Sequence, residues 1–215
     1  MEKEFKKNLI ERFITSIAMI VPIVLVVTYK NIWLFSIIVS LTCIAGCYEW
    51  TKNNLQNRLL GISIILNFGI TSIIFVNFSQ STVISSYIIF LAVIFNTAIF
   101  DSSAYIIGSN YGKNKIATNI SPNKTYEGLA GGLIVSILYS YLLCIFLNLD
   151  YIVIIFLTLG CFFAFFGDLF ISYYKRKSGI KDTGHFLPGH GGVLDRLDSH
   201  LITTPLMLLL FSLVL

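Results

Sequence analysis

The feature that most constrains this chain is a succession of apolar runs, each about as long as a bilayer is thick. A run of roughly 20 apolar residues, rising about 1.5 Å per residue as a helix, spans the hydrocarbon core. Seven such runs are present, at roughly 12–29, 31–49, 59–78, 83–107, 127–147, 151–174 and 194–215. They consume most of the 215 residues, so no separate soluble domain of ordinary size fits. Composition agrees: 56% of the residues are hydrophobic, 12% are charged, and the mean hydropathy is +0.82. A membrane β-barrel needs short alternating segments, which these continuous runs contradict. The expected fold class is all-α, a polytopic integral membrane bundle of about seven transmembrane helices.

The basic residues orient that bundle. Fourteen of the 15 Lys and Arg residues fall in alternate connections: Lys3–Arg12, Lys52–Arg58, Lys113–Lys124 and Lys175–Arg196. Only Lys30 lies in the other set. By the positive-inside rule the N-terminus is expected in the cytoplasm. The net charge of +4 is explained by loops beside anionic lipid, with no nucleic-acid partner needed. The charged start MEKEFKKNLIE has no small-residue cleavage site after the first run, which predicts an uncleaved first span. Cys43, Cys47, Cys144 and Cys161 all lie inside apolar runs without CxxC spacing, as small, reduced, structural hydrophobes would. Residues 1–80 are expected to supply three N-terminal helices, and 81–215 a catalytic transmembrane region with polar loops on the cytoplasmic face.

The acids are the next signal. Asp168 lies seven residues before the triplet Lys175–Lys177, roughly 10 Å below the charged boundary on a helix. An aspartate at that depth costs about 2.5–3.5 kcal/mol on insertion scales, and intramembrane acids default to function. Asp168, Ser172 and Lys175 recur at spacings of four and three, so they share a face and form a polar stripe. Asp101, followed by Ser102 and Ser103, makes a similar patch on another run. Packing between helices by polar side chains is the competing explanation for each. Two acids entering from one side favour a hydrophilic cavity. Glu49 and Glu127 stand at span ends.

The stretch 181–199, KDTGHFLPGHGGVLDRLDS, concentrates charge and glycine as no other part of the chain does. Asp195 and Asp198, at i and i+3, are expected on one face at the start of the final span. Adjacent carboxylates repel unless a cation sits between them. With Arg196 pointing elsewhere, a divalent ion is the simpler neutraliser, although the acids could also cap the helix. An oxygen-only donor set favours Mg²⁺ over Zn²⁺. The preceding PGHGG loop, with Gly189, Gly191 and Gly192, would let backbone N–H groups approach a phosphate. Lys175, Arg176 and Lys181 flank it, and His185 and His190 are candidate hydrogen-bond or acid–base groups. Upstream, ISPNKTYEGLAGG offers helix-entry signals at Ser121–Pro122 and at Thr125 with Glu127. It also holds Lys124 as a point charge, and Gly128 and Gly132 at the GxxxG spacing of close helix packing.

These residues resemble the phosphatidate cytidylyltransferase (CDP-diacylglycerol synthase) family. The pattern runs through Ser172, Lys175–Arg176, Lys181–Asp182, Gly184, Pro188, His190–Gly191–Gly192, Asp195–Arg196 and Asp198, over 27 residues. FDSSAY and SPNKTYEG resemble two further blocks of that family, extending the likeness over roughly residues 100–200. The resemblance implies condensation of CTP with phosphatidic acid to give CDP-diacylglycerol and pyrophosphate, with Mg²⁺ as cofactor. It implies a metal held by Asp168, Asp195 and Asp198, with Lys175, Arg176, Lys181 and Arg196 gripping phosphates. Asp182 and His190 complete the catalytic set. Asp101, Ser121, Lys124, Thr125, Gly191 and Gly192 would bind substrate. The partners implied are the two substrates and the lipid bilayer, with a homodimer left open. Two other readings stand beside it: a CTP-using membrane kinase of polyprenols, and an ion-coupled transporter, which would show repeats and midplane acids. The DGxxAR block of CDP-alcohol phosphotransferases is missing from the sequence.

Overall fold

The computed structural model describes residues 21–22, 25–26, 28–78, 85–184 and 191–214. The first apolar run lies largely outside them, as do Lys3, Lys6, Lys7 and Arg12. Five helices follow that are long and apolar enough to cross a membrane: α1 (Ile32–Lys52), α2 (Arg58–Phe78), α3 (Ser86–Tyr111), α4 (Tyr126–Leu147) and α5 (Ile152–Lys177). Each coincides with one of the runs read from the sequence. Their outward faces stay apolar, with Trp33, Leu41, Ile74, Phe146 and Phe166 among many large exposed hydrophobics. Such all-round apolar helices suit a lipid solvent rather than water. Their ends are set locally. The Asn31 side chain accepts the Trp33 and Leu34 N–H groups at 2.9 and 3.3 Å to start α1. The Thr125 hydroxyl accepts from the Gly128 N–H at 3.1 Å to start α4. Asn148, in the left-handed region at φ 51°, ends α4.

Two parts of the chain differ from the sequence expectation. Between α3 and α4 an antiparallel hairpin forms from β1 (Lys115–Ala117) and β2 (Ser121–Thr125), pairing Lys115 with Thr125 and Ala117 with Ser121. Ser121–Pro122 is therefore the start of a strand, and only the Thr125 helix-entry signal holds. Proline biases the residue before it toward extended backbone, which suits Ser121 as well as a helix entry would. The all-α class holds for the membrane-embedded part. The last run is also divided, into a single turn α6 (Leu194–Leu197) and α7 (His200–Val214). At the break, Asp198 Oδ1 accepts the Ser199 N–H at 3.0 Å, so a side chain competes with the helix for that amide.

Packing is closest where side chains are smallest. A Cβ on Gly128 would stand 2.6 Å from the Ala104 carbonyl oxygen, and one on Gly132 3.0 Å from the Phe100 ring. The GxxxG pair thus lets α3 and α4 touch backbone to backbone. Deeper in the bundle, Asn96 of α3 donates to the Leu157 carbonyl at 2.9 Å and accepts from Ser136 at 2.7 Å, tying α3, α4 and α5 together. On α5, a Cβ at Gly167 would lie 3.2 and 3.3 Å from the Asp198 and Ser199 carbonyl oxygens. That glycine seats α5 against the α6–α7 break and brings its next residue, Asp168, alongside Asp198.

Candidate active site

A cavity of about 460 Å³ lies where α3, the hairpin, the start of α4, α5 and the α6–α7 turn meet. Asp101, Ser121, Lys124 and Thr125 line it from one side, and Asp168, Asp195, Arg196 and Asp198 from the other. Four segments far apart in sequence thus converge on one polar chamber inside an apolar bundle. Ala98, Phe100, Leu129 and Phe165 add apolar wall.

Asp168 keeps the stripe read from the sequence. Ser172, one turn on, donates to its Oδ1 at 3.1 Å. Its Oδ2 pairs with the Lys124 ammonium at 2.6 Å, and that ammonium also bonds the Phe165 carbonyl at 3.3 Å and sits 4.4 Å above the Phe165 ring. Lys124 thereby pins the hairpin to α5 beside the cavity. Asp101, one helix away, faces the Ser199 residue of the turn.

The cation between Asp195 and Asp198 is a protein group. Lys175, only 5% exposed, places Nζ 3.1 Å from Asp195 Oδ1 and 3.2 Å from Asp198 Oδ2. Lys175 supplies a side-chain counter-ion that local spacing, with Arg196 alone nearby, does not offer. A lysine 20 residues upstream folds back to meet them. Asp195 is held further: its Oδ2 accepts the Thr183 and Gly192 N–H groups at 2.8 and 3.0 Å. Asp198 has fewer partners and stands nearer to Asp168.

Other expected site residues fall elsewhere. Arg176 donates to the Ile120 and Ile180 carbonyls at 3.1 and 2.9 Å, clamping the hairpin loop to the end of α5 outside the cavity lining. Lys181 and Asp182 are exposed on the loop beyond α5. Gly191 has φ +87°, and Gly192 backs onto Asp195, so both shape the loop behind the acids. His190, with His185 and Gly189, lies outside the described residues. Two residues with no assigned role in the sequence reading prove close to the acids: Thr183, and Glu49, which reaches the same loop from α1. The only advance signal was an acid at the end of an apolar run.

The donor set is one of carboxylate oxygens, the chemistry that suits a hard cation. Among the described residues no three His, Cys, Asp or Glu side chains are gathered closely enough to cage an ion alone. Magnesium is commonly bound by one or two carboxylates with water and substrate phosphate, and Asp168 with Asp198 fits that pattern.

The sequence matches known proteins along most of its length. Residues 53–214 match the profile of the Cytidylyltransferase family. Phosphatidate cytidylyltransferase of Rickettsia bellii (strain RML369-C) is 34% identical over 216 residues, covering 94% of this chain and 90% of that protein. The protein of the same name from Rickettsia prowazekii (strain Madrid E) is 35% identical over 217 residues, covering 93% and 90%. That of Bacillus subtilis (strain 168) is 43% identical over 116 residues, covering 53% and 43%.

Proposed function

The chain belongs to the cytidylyltransferase family, and from that footing we propose that it transfers CMP from CTP to phosphatidic acid. The products are CDP-diacylglycerol and pyrophosphate. A phosphate oxygen of the lipid attacks the α-phosphorus of CTP, the bond from that phosphorus to the bridging oxygen breaks, and pyrophosphate leaves with the electron pair. Catalysis of this kind is positioning and charge neutralisation. The observation that carries the proposal is the convergence of Asp101, Asp168 and Asp198 with Lys124 on one cavity.

Within that reading, Asp168 and Asp198 would hold Mg²⁺ together with Asp195, which its three present partners fix in place. When bound, the ion neutralises the phosphates it touches and withdraws charge from the reacting phosphorus. Lys124 is poised to exchange Asp168 for a substrate phosphate, a point charge moving a short distance along the hairpin. Arg196, on the cavity wall, offers a forked donor for a second phosphate. Lys175 stays behind the acids and keeps two carboxylates together. The apolar wall suits the lipid's glycerol and first methylenes, while its acyl chains remain in the bilayer. The asymmetry of Lys and Arg supports a cytoplasmic opening, the side from which CTP arrives. A homodimer is compatible with this arrangement, and the mass of the detergent-purified protein tests it.

The direct test supplies purified protein with phosphatidic acid, Mg²⁺ and CTP labelled at either the α or the γ phosphate. The expected result is α label in the lipid and γ label in pyrophosphate, with turnover stopped by a chelator and restored by Mg²⁺. Label from the γ position in the lipid would identify a kinase and overturn the proposal. Asp168→Asn should lower kcat by at least about 100-fold in folded protein.

A further inference from the structure

Glu49 closes the second apolar run near the end of α1, upstream of the matched stretch 53–214. It is 3% exposed, and both of its carboxylate oxygens are engaged. Oε1 accepts the Val193 N–H at 2.9 Å, and Oε2 accepts the Leu194 N–H at 2.8 Å and the Thr183 hydroxyl at 2.9 Å. Val193 and Leu194 open α6, where backbone N–H groups have no partner within the helix. Thr183 hands the connection on, because its own N–H binds Asp195 Oδ2, and Asp195 Oδ1 binds the lysine that also holds Asp198. A second tether leaves the same helix end: Asn53 donates to the Thr183 carbonyl at 2.5 Å and to the Glu49 carbonyl at 2.8 Å. Gly192 fits this picture, since a Cβ there would stand 2.5 Å from Glu49 Oε2. The Thr183 hydroxyl would stand closer still, at 2.3 Å, so the glycine leaves room for the Glu49–Thr183 hydrogen bond.

We infer that Glu49 is a positioning residue of the transfer reaction, holding the turn that presents Asp195 and Asp198 to the cavity. It touches no cavity-lining surface itself and acts through Thr183 and the first amides of α6. The inference rests on the proposed function, and it extends the working part of the chain upstream of the family match. Three donors converge on two oxygens, a demand that separates this role from simple packing. A glutamine fills the same volume but offers one acceptor oxygen and turns an NH₂ toward a backbone N–H. Aspartate keeps two oxygens on a shorter stem.

The test uses the full chain in detergent with Glu49→Gln and Glu49→Asp, each compared with the unmodified protein. Three quantities are read: kcat normalised to folded protein, amide exchange of a peptide covering 191–199, and the thermal midpoint. Glu49→Gln should lower kcat by about 100-fold, the scale of an ångström-sized misplacement of reacting groups. Exchange in 191–199 should quicken by about tenfold or more while the rest of the chain keeps its protection. Glu49→Asp should recover part of both. Wild-type kcat in Glu49→Gln, or a slow variant with unchanged exchange in 191–199, overturns the inference. So does collapse of both variants, which would make Glu49 a residue of the fold alone. If the unmodified chain makes no CDP-diacylglycerol, the proposed function fails first, and the exchange data still decide whether Glu49 holds the loop.

Discussion

At the scale of single residues, the site is governed by two lysines standing among acids. Lys175 is buried and holds Asp195 and Asp198 at once, so its loss leaves two enclosed carboxylates facing each other. Breaking a buried pair by removing one partner costs about 3–5 kcal/mol. Lys175→Met should therefore lower the thermal midpoint markedly and abolish turnover, as read by melting in detergent and by product formation. Lys124 is different. It is partly exposed and bridges the hairpin to Asp168, a contact that a substrate phosphate can replace. Lys124→Ala should leave the midpoint within a few degrees while kcat/KM for CTP falls by about 10- to 100-fold, the worth of one or two charge-assisted contacts. The two substitutions remove the same charge and are expected to separate stability from catalysis.

At the scale of helices and strands, α3 and α4 approach backbone to backbone because glycines remove the side chains between them. Gly132→Val forces bulk against the Phe100 ring and should cost about 1–3 kcal/mol by overpacking, visible as a lower melting midpoint. Gly167→Val would act on the site as well, wedging α5 away from the Asp198–Ser199 turn, and should reduce activity more than stability. Five spans were legible in the sequence because a continuous apolar run needs no partner to announce itself. The break at Asp198 was not, since hydropathy is blind to one side chain capturing the next amide. The hairpin escaped for a related reason. Strands of three and five residues carry too little periodicity to read, and Ser121–Pro122 is equally at home before a helix.

At the scale of the whole molecule, the polar chamber was largely foreseeable. In so apolar a chain almost every intramembrane acid has somewhere specific to go, and Asp101, Asp168, Asp195 and Asp198 meet as expected. What could not be read was which group pairs with which. Lys175 lies 20 residues from Asp195, Lys124 lies 41 from Phe165, and Glu49 lies 145 from Leu194. Such pairings belong to the fold and leave no trace in local spacing. The cysteines, by contrast, behave as their positions suggested: all four are free, and Cys43, Cys144 and Cys161 are buried within helices. To a water-soluble maleimide the native chain is nearly silent, so one new thiol on an exposed loop becomes a clean reporter. Lys113→Cys, on the exposed stretch between α3 and the hairpin, should resist labelling in intact cells and react once the envelope is permeabilised. Labelling from outside would turn the molecule over in its membrane.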